Sequence, residues 1–130
     1  MKKILFVLAL LAGMLHAEVI NESASKALLE RHIPVVDIRT PGEWKETGVL
    51  KGSIPIMFFD ERGGYNVDRF IQELNAKVDT KKPFAIICRT GSRTGMLAPF
   101  LSQPFGYTVY NLQGGVIYAH QQGLPFVPYQ

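Results

Sequence analysis

Read from its amino end, the chain alternates short apolar runs with segments of helical period. "SASKALLERH" (23–32) has Ala24, Ala27 and Leu28 on one side and polar residues opposite, which predicts a short amphipathic helix. "IPVVDIR" (33–39) is apolar and β-branched, a buried strand. In "TPGEWKE" (40–46), Thr40 is set to cap a helix of one or two turns and Pro41 to open it. "GSIPIMFF" (52–59) reads as an extended segment and "ERGG" as a turn. "NVDRFIQELNAKV" (66–78) places Val67, Phe70, Ile71, Leu74 and Val78 at helical spacing behind the cap residue Asn66. "PFAIIC" (83–88) is a wholly apolar strand and residues 93–102 are helical. Pro99 predicts a kink or an early end to that helix, because its ring crowds the Gly95 carbonyl. "YTVYNL" (107–112) is a further strand, and "GGVIYAHQQG" (114–123) a last helix stopped by Gly123. Unalternating strands separated by helices predict an α/β fold: a central, mostly parallel sheet with helices on both faces. Active crevices of such sheets lie at the carboxyl ends of the strands, where Cys88 stands.

Composition refines this picture at the amino end. Lys2 and Lys3, the apolar run Ile4–Leu11 and the "LHA" of residues 15–17 form the pattern of a cleavable signal peptide. Residues 1–17 are therefore expected to be removed, leaving a single domain over 18–130 that is exported, in a bacterium to the periplasm, and not held in the membrane. Of the 14 Lys and Arg, two lie in this leader, so the formal charge of +3 leaves little excess elsewhere. No basic stripe with interleaved aromatics occurs, and no nucleic-acid partner is expected. The 47% hydrophobic content is enough for a packed core.

Cys88 is the only cysteine. It can form no internal disulfide, and is a buried bystander, an intermolecular bridge or a working thiol. Its surroundings favour the last. "CRTGSRT" puts Arg89 and Arg93 beside the sulfur, and Gly91 permits a positive φ that curls the loop. The helix beginning near Ser92 or Arg93 aims free N–H groups back at it, and Thr90, Ser92 and Thr94 add hydroxyls. Cations and helix N-termini favour thiolate over thiol. The result is an anion-binding bowl with a sulfur at its base.

The Cys-(four residues)-Arg loop, "VVDIRTPGEWKETGVLKGSI" (35–54) and "NLQGGVIYAHQQGLPFV" (111–127) together resemble the rhodanese family of sulfurtransferases, over about residues 19–128. The resemblance implies a rhodanese-like three-layer fold. It also implies a two-step reaction in which Cys88 takes a sulfane sulfur from an anionic donor such as thiosulfate and passes it to cyanide, a thiol or a sulfur-accepting or redox protein. It implies that Arg89, Thr90, Gly91, Ser92, Arg93 and Thr94 bind the donor, Arg93 by holding the loop or the donor and Arg89 by attracting it from the rim. No cofactor or metal is expected; His32 and His120 are isolated. Asp37 and Arg39 are expected to support the site, Asp37 by bonding loop N–H groups and Arg39 by pairing with Glu43. Met57, Phe58 and Phe59 are candidate walls of the crevice. Where the family often has His and an aromatic residue, this chain has Val49 and Ala119.

Two other classes compete. A phosphatase or arsenate reductase uses a cysteine–arginine loop with five intervening residues; here there are four, a narrower bowl suited to sulfur. A sulfane-sulfur (polysulfide) carrier or a partner-binding module would keep the fold without multiple turnover of thiosulfate.

Overall fold

The computed structural model describes residues 17–130. The expected leader, all but Ala17, lies outside the described residues. The elements in order are β1 (Val19–Ser23), α1 (Lys26–Glu30), β2 (Val35–Asp37), α2 (Pro41–Thr47), β3 (Val49–Leu50), β4 (Ile54–Pro55), α3 (Val67–Lys77), β5 (Phe84–Ile87), α4 (Ser92–Ser102), β6 (Val109–Gln113), α5 (Gly115–Gln121) and β7 (Phe126–Val127).

Five strands form one parallel sheet in the order β1-β6-β5-β2-β4. The thiol-bearing strand β5 is central, and its four residues are buried on both faces. That is why it carries no polar alternation. One face is covered by α3 and α4 through Phe70, Leu74, Leu97 and Leu101. The other is covered by α1 and α5 through Leu28, Val116 and Ala119. The α/β expectation therefore holds, with two cores separated by the sheet. Among the described residues no helix is long and apolar enough to cross a membrane.

Several boundaries differ from expectation for local reasons. The helix expected over 23–32 is only Lys26–Glu30, capped by the Ser25 hydroxyl, which accepts from Leu28 N at 3.0 Å. Residues 19–23 are instead a strand, paired in register with Val109–Gln113 of β6. The segment 52–59 is strand only at Ile54–Pro55, on the edge of the sheet, where the missing N–H of Pro55 costs no bond to β2. Beyond it the backbone still follows β2, Ile56 N donating to Asp37 O at 3.0 Å and Phe58 N to Ile38 O at 3.1 Å. The expected early end at Pro99 does not occur: α4 runs on to Ser102. Leu97, Ala98, Leu101 and Ser102 are buried on both sides of the proline, so packing outweighs the one lost backbone bond. Val49 joins a small antiparallel pair, Val49 opposite Val127, outside the main sheet. Ala119 lies fully buried where a larger aromatic would have to be accommodated.

Candidate active site

The site is assembled at the carboxyl end of β5. Cys88 follows Ile87 directly and is fully buried. Gly91 adopts φ +100, the left-handed conformation that its lack of a Cβ allows, and turns its N–H to donate to the Cys88 sulfur at 3.1 Å. Helix α4 starts at Ser92. Thr94, one turn in, is buried with its hydroxyl oxygen 3.6 Å from the sulfur; the same hydroxyl donates to Gly91 O at 3.2 Å. Its single proton can thus stay on the loop carbonyl while a thiol S–H points at the oxygen, or turn to a thiolate.

The loop is oriented from behind by α5. Val116 N donates to Cys88 O at 2.9 Å and Ile117 N to Arg89 O at 3.1 Å. While those carbonyls are drawn toward the start of α5, the Gly91 N–H faces the sulfur. Gly115 makes this approach possible: a Cβ there would lie 2.5 Å from both the Cys88 and the Arg89 carbonyl oxygens. Of the two glycines of the resemblance, Gly115 is thus the one that lets α5 approach the loop.

Asp37 and Arg39 stand at the end of the neighbouring strand β2. Their side chains are 0% and 1% exposed, and they bond to each other, not as expected from sequence. The Asp37 carboxylate accepts from Arg39 Nε at 2.9 Å, Arg39 Nη2 at 2.8 Å, Arg39 N at 3.1 Å and Trp44 Nε1 at 3.1 Å. Arg39 also donates to Thr47 Oγ1 at 2.8 Å and to Gly48 O at 2.9 Å. The pair thus pins α2 to the strand end beside the cysteine, and Asp37 takes no N–H from the loop. Two residues apart, the partners are fixed by the backbone; the expected Arg39–Glu43 pair is absent, Arg39 being turned to Asp37, Thr47 and Gly48 and both Glu43 oxygens being taken by Arg93.

Glu43 goes instead to Arg93. The two form a bidentate pair, Nη1 to Oε1 and Nη2 to Oε2, both at 2.7 Å. Thr40 secures the same carboxylate through its N–H and hydroxyl, each 3.2 Å from Oε1. The Arg93 guanidinium lowers the Glu43 pKa from its ordinary 4.5 to about 2; partial burial opposes the shift and the Thr40 bonds assist it. Glu43 in turn raises the Arg93 pKa further above its ordinary value. Sequence reasoning placed Glu43 elsewhere, although the capping box Thr40-x-x-Glu43 was a signal that this carboxylate is held in place.

The loop's other residues are exposed at Arg89, Thr90 and Ser92. Arg89 makes no ion pair among the described residues. It lines a cavity of about 150 Å³ with Glu43, Glu46, Thr47 and His120. Phe58 and Phe59 line an apolar cleft of about 150 Å³ with Tyr65 and with Met96, Leu97 and Phe100 of α4, and no residue of the Cys88 loop lines that cleft. Met57 does not belong to it. It lines a larger cavity of about 420 Å³ beyond the stacked Phe58 and Tyr65 rings. Among the described residues no three His, Cys, Asp or Glu gather as a metal-holding group.

A parallel α/β domain with a thiol at a strand end, cradled by a glycine turn and a helix N-terminus, defines a class of proteins that present sulfur to an anion-binding loop. Within that class the chain matches the model of the rhodanese-like domain over residues 17–117, and it belongs to the rhodanese-like family. It is 33% identical over 92 residues to an uncharacterized protein of Rickettsia prowazekii, covering 68% of this chain and 72% of that one. It is 28% identical over 111 residues to a sulfurtransferase of Allochromatium vinosum, covering 85% and 94%. The crystal structure of a rhodanese-related protein from Thermoplasma volcanium superposes with a TM-score of 0.59 at 28% identity, covering 83% of this chain and 99% of that one.

Proposed function

We propose that this protein is a sulfurtransferase that carries sulfane sulfur as a persulfide on Cys88. The observation that supports it most is the Gly91 N–H directed at the Cys88 sulfur at 3.1 Å, in a loop whose carbonyls are taken up by α5. Family membership and the sulfurtransferase of Allochromatium vinosum point the same way.

In the first half-reaction the Cys88 thiolate attacks the outer sulfur of a donor. With thiosulfate the S–S bond breaks, sulfite leaves with the electron pair, and Cys88 holds a persulfide anion. In the second, a thiophilic acceptor attacks the outer sulfur and Cys88 returns as thiolate; cyanide leaves as thiocyanate. No net charge or proton is created in either step. The N–H groups of the loop stabilise whichever sulfur bears the charge, and the Thr94 hydroxyl can turn to donate to it. The natural acceptor on this reading is a thiol or a sulfur-accepting protein.

The test is intact-protein mass spectrometry of the chain incubated with thiosulfate, then with cyanide. A gain of about 32 Da that cyanide reverses and that Cys88→Ser lacks is expected. A Cys88→Ser protein that still gains a cyanide-labile sulfur would overturn the assignment of the nucleophile. A gain without repeated turnover would mark a carrier.

A further inference from the structure

Sequence suggests a mouth rich in positive charge, with Arg89 and Arg93 in the loop and Arg39 nearby. The folded arrangement cancels most of it. Arg39 is neutralised by Asp37, and both terminal nitrogens of Arg93 are taken by Glu43. The Glu43 carboxylate is itself secured by Thr40, so the pair is a fixed part of the wall. Both partners remain about a quarter exposed, 24% for Arg93 and 25% for Glu43, so their charges face the solvent from which a donor arrives. Of the three arginines only Arg89 is without an ion pair among the described residues, and Glu46 lines the same cavity. The flank of α4 that carries Met96 and Leu97 is apolar and faces Phe58 and Phe59.

We propose that Glu43 is a positioning residue that sets donor choice: by holding Arg93 it withholds that guanidinium from the donor and turns the site toward singly charged, organic sulfane-sulfur donors and away from dianionic thiosulfate. This rests on the sulfur-transfer reading. The donor class is an organic persulfide, R–S–S⁻. The Cys88 thiolate attacks its outer sulfur, the S–S bond breaks and R–S⁻ leaves, so charge is conserved. Thiosulfate brings a second negative charge that, with Arg93 held by Glu43, one unpaired arginine must meet.

The experiment compares wild type with Glu43→Gln, Arg93→Gln and the double variant. Cys88 is alkylated by iodoacetate and by iodoacetamide, which differ chiefly in charge, and is loaded with sulfur by thiosulfate and by a small alkyl persulfide whose only charge is on the outer sulfur. Glu43→Gln keeps the side-chain shape and the oxygen that Thr40 uses, and frees the Arg93 charge. It is expected to raise the iodoacetate-to-iodoacetamide rate ratio roughly three- to ten-fold, as one unit charge near the sulfur does at intermediate dielectric, and to raise thiosulfate loading over persulfide loading by at least as much. Arg93→Gln leaves Glu43 unpaired and moves both ratios the opposite way. The double variant, neutral like the wild-type pair, returns both to within about two-fold of wild type.

A merely structural role predicts no such restoration. Unchanged ratios in a folded Glu43→Gln or Arg93→Gln protein, or a double variant displaced as far as a single one, overturn the proposal. If no donor loads Cys88, the sulfur-transfer reading fails and the donor choice with it. The alkylation ratios then still decide whether Glu43 governs charge at the thiol.

Discussion

Two arginine–carboxylate pairs stand beside Cys88, and they differ in almost every respect. Asp37 and Arg39 are two residues apart and fully buried, and their hydrogen bonds run to Trp44, Thr47 and Gly48 as well as to each other. Glu43 and Arg93 are 50 residues apart, a quarter exposed, and join helix α2 to the start of α4. The first pair has no water to replace a missing partner; the second has. A buried pair is therefore an all-or-none anchor for α2, whereas the rim pair is an adjustable charge. The same two residue chemistries serve architecture in one place and electrostatics in the other, and solvent access is what separates them.

The sharpest way to break the comparison is to remove one buried partner. Asp37→Ala strands the Arg39 guanidinium and the Trp44 N–H, and is expected to cost about 3–5 kcal/mol in urea unfolding. A loss below about 1 kcal/mol would show that the pair is no anchor. Next in size is Gly115→Ala, which tests the third support of the loop. Its φ of +58 and the two carbonyl oxygens 2.5 Å from a new Cβ force the start of α5 away from Cys88. About 2 kcal/mol of destabilisation is expected, together with slower alkylation of Cys88; unaltered reactivity would mean that α5 does not shape the loop.

Smallest is the stability effect of Glu43→Gln, about 1 kcal/mol at neutral pH, discounted for exposure. Its pH dependence is diagnostic. Because the folded-state pKa of Glu43 is depressed from 4.5 to about 2, the contribution is complete above the ordinary value and is lost as pH falls through the folded one. Urea unfolding of wild type and variant should therefore differ above pH 4.5 and converge toward pH 2. A difference that stayed constant over this range would show that the ionised Glu43–Arg93 pair does not carry the effect.

These contrasts also mark what the sequence could express. Strand β5 and the turn after it were legible because every cue agreed: an unbroken apolar run, a glycine for the positive φ, and a helix start at Ser92. Helix α2 was legible through Thr40 as its cap and Pro41 as its first residue. Strand β1 was not, because "VINES" has two apolar residues and owes its conformation to β6, far along the chain. The Glu43–Arg93 contact was hidden for the same reason: local spacing offers Arg39 as a partner at helical distance, and only the packing of α2 against the loop gives Arg93 instead. Long-range pairing, not propensity, is what a single chain read in order conceals.

The grip of α5 on the loop carries a consequence for the life of the polypeptide. The N–H groups that take the Cys88 and Arg89 carbonyls belong to Val116 and Ile117, which follow them well along the chain. A growing chain thus exposes its cysteine well before the residues that shape the bowl exist. Until then the Cys88 and Arg89 carbonyls lack the partners that orient them in the folded protein. The shape of the loop is thus fixed only when α5 has docked on it.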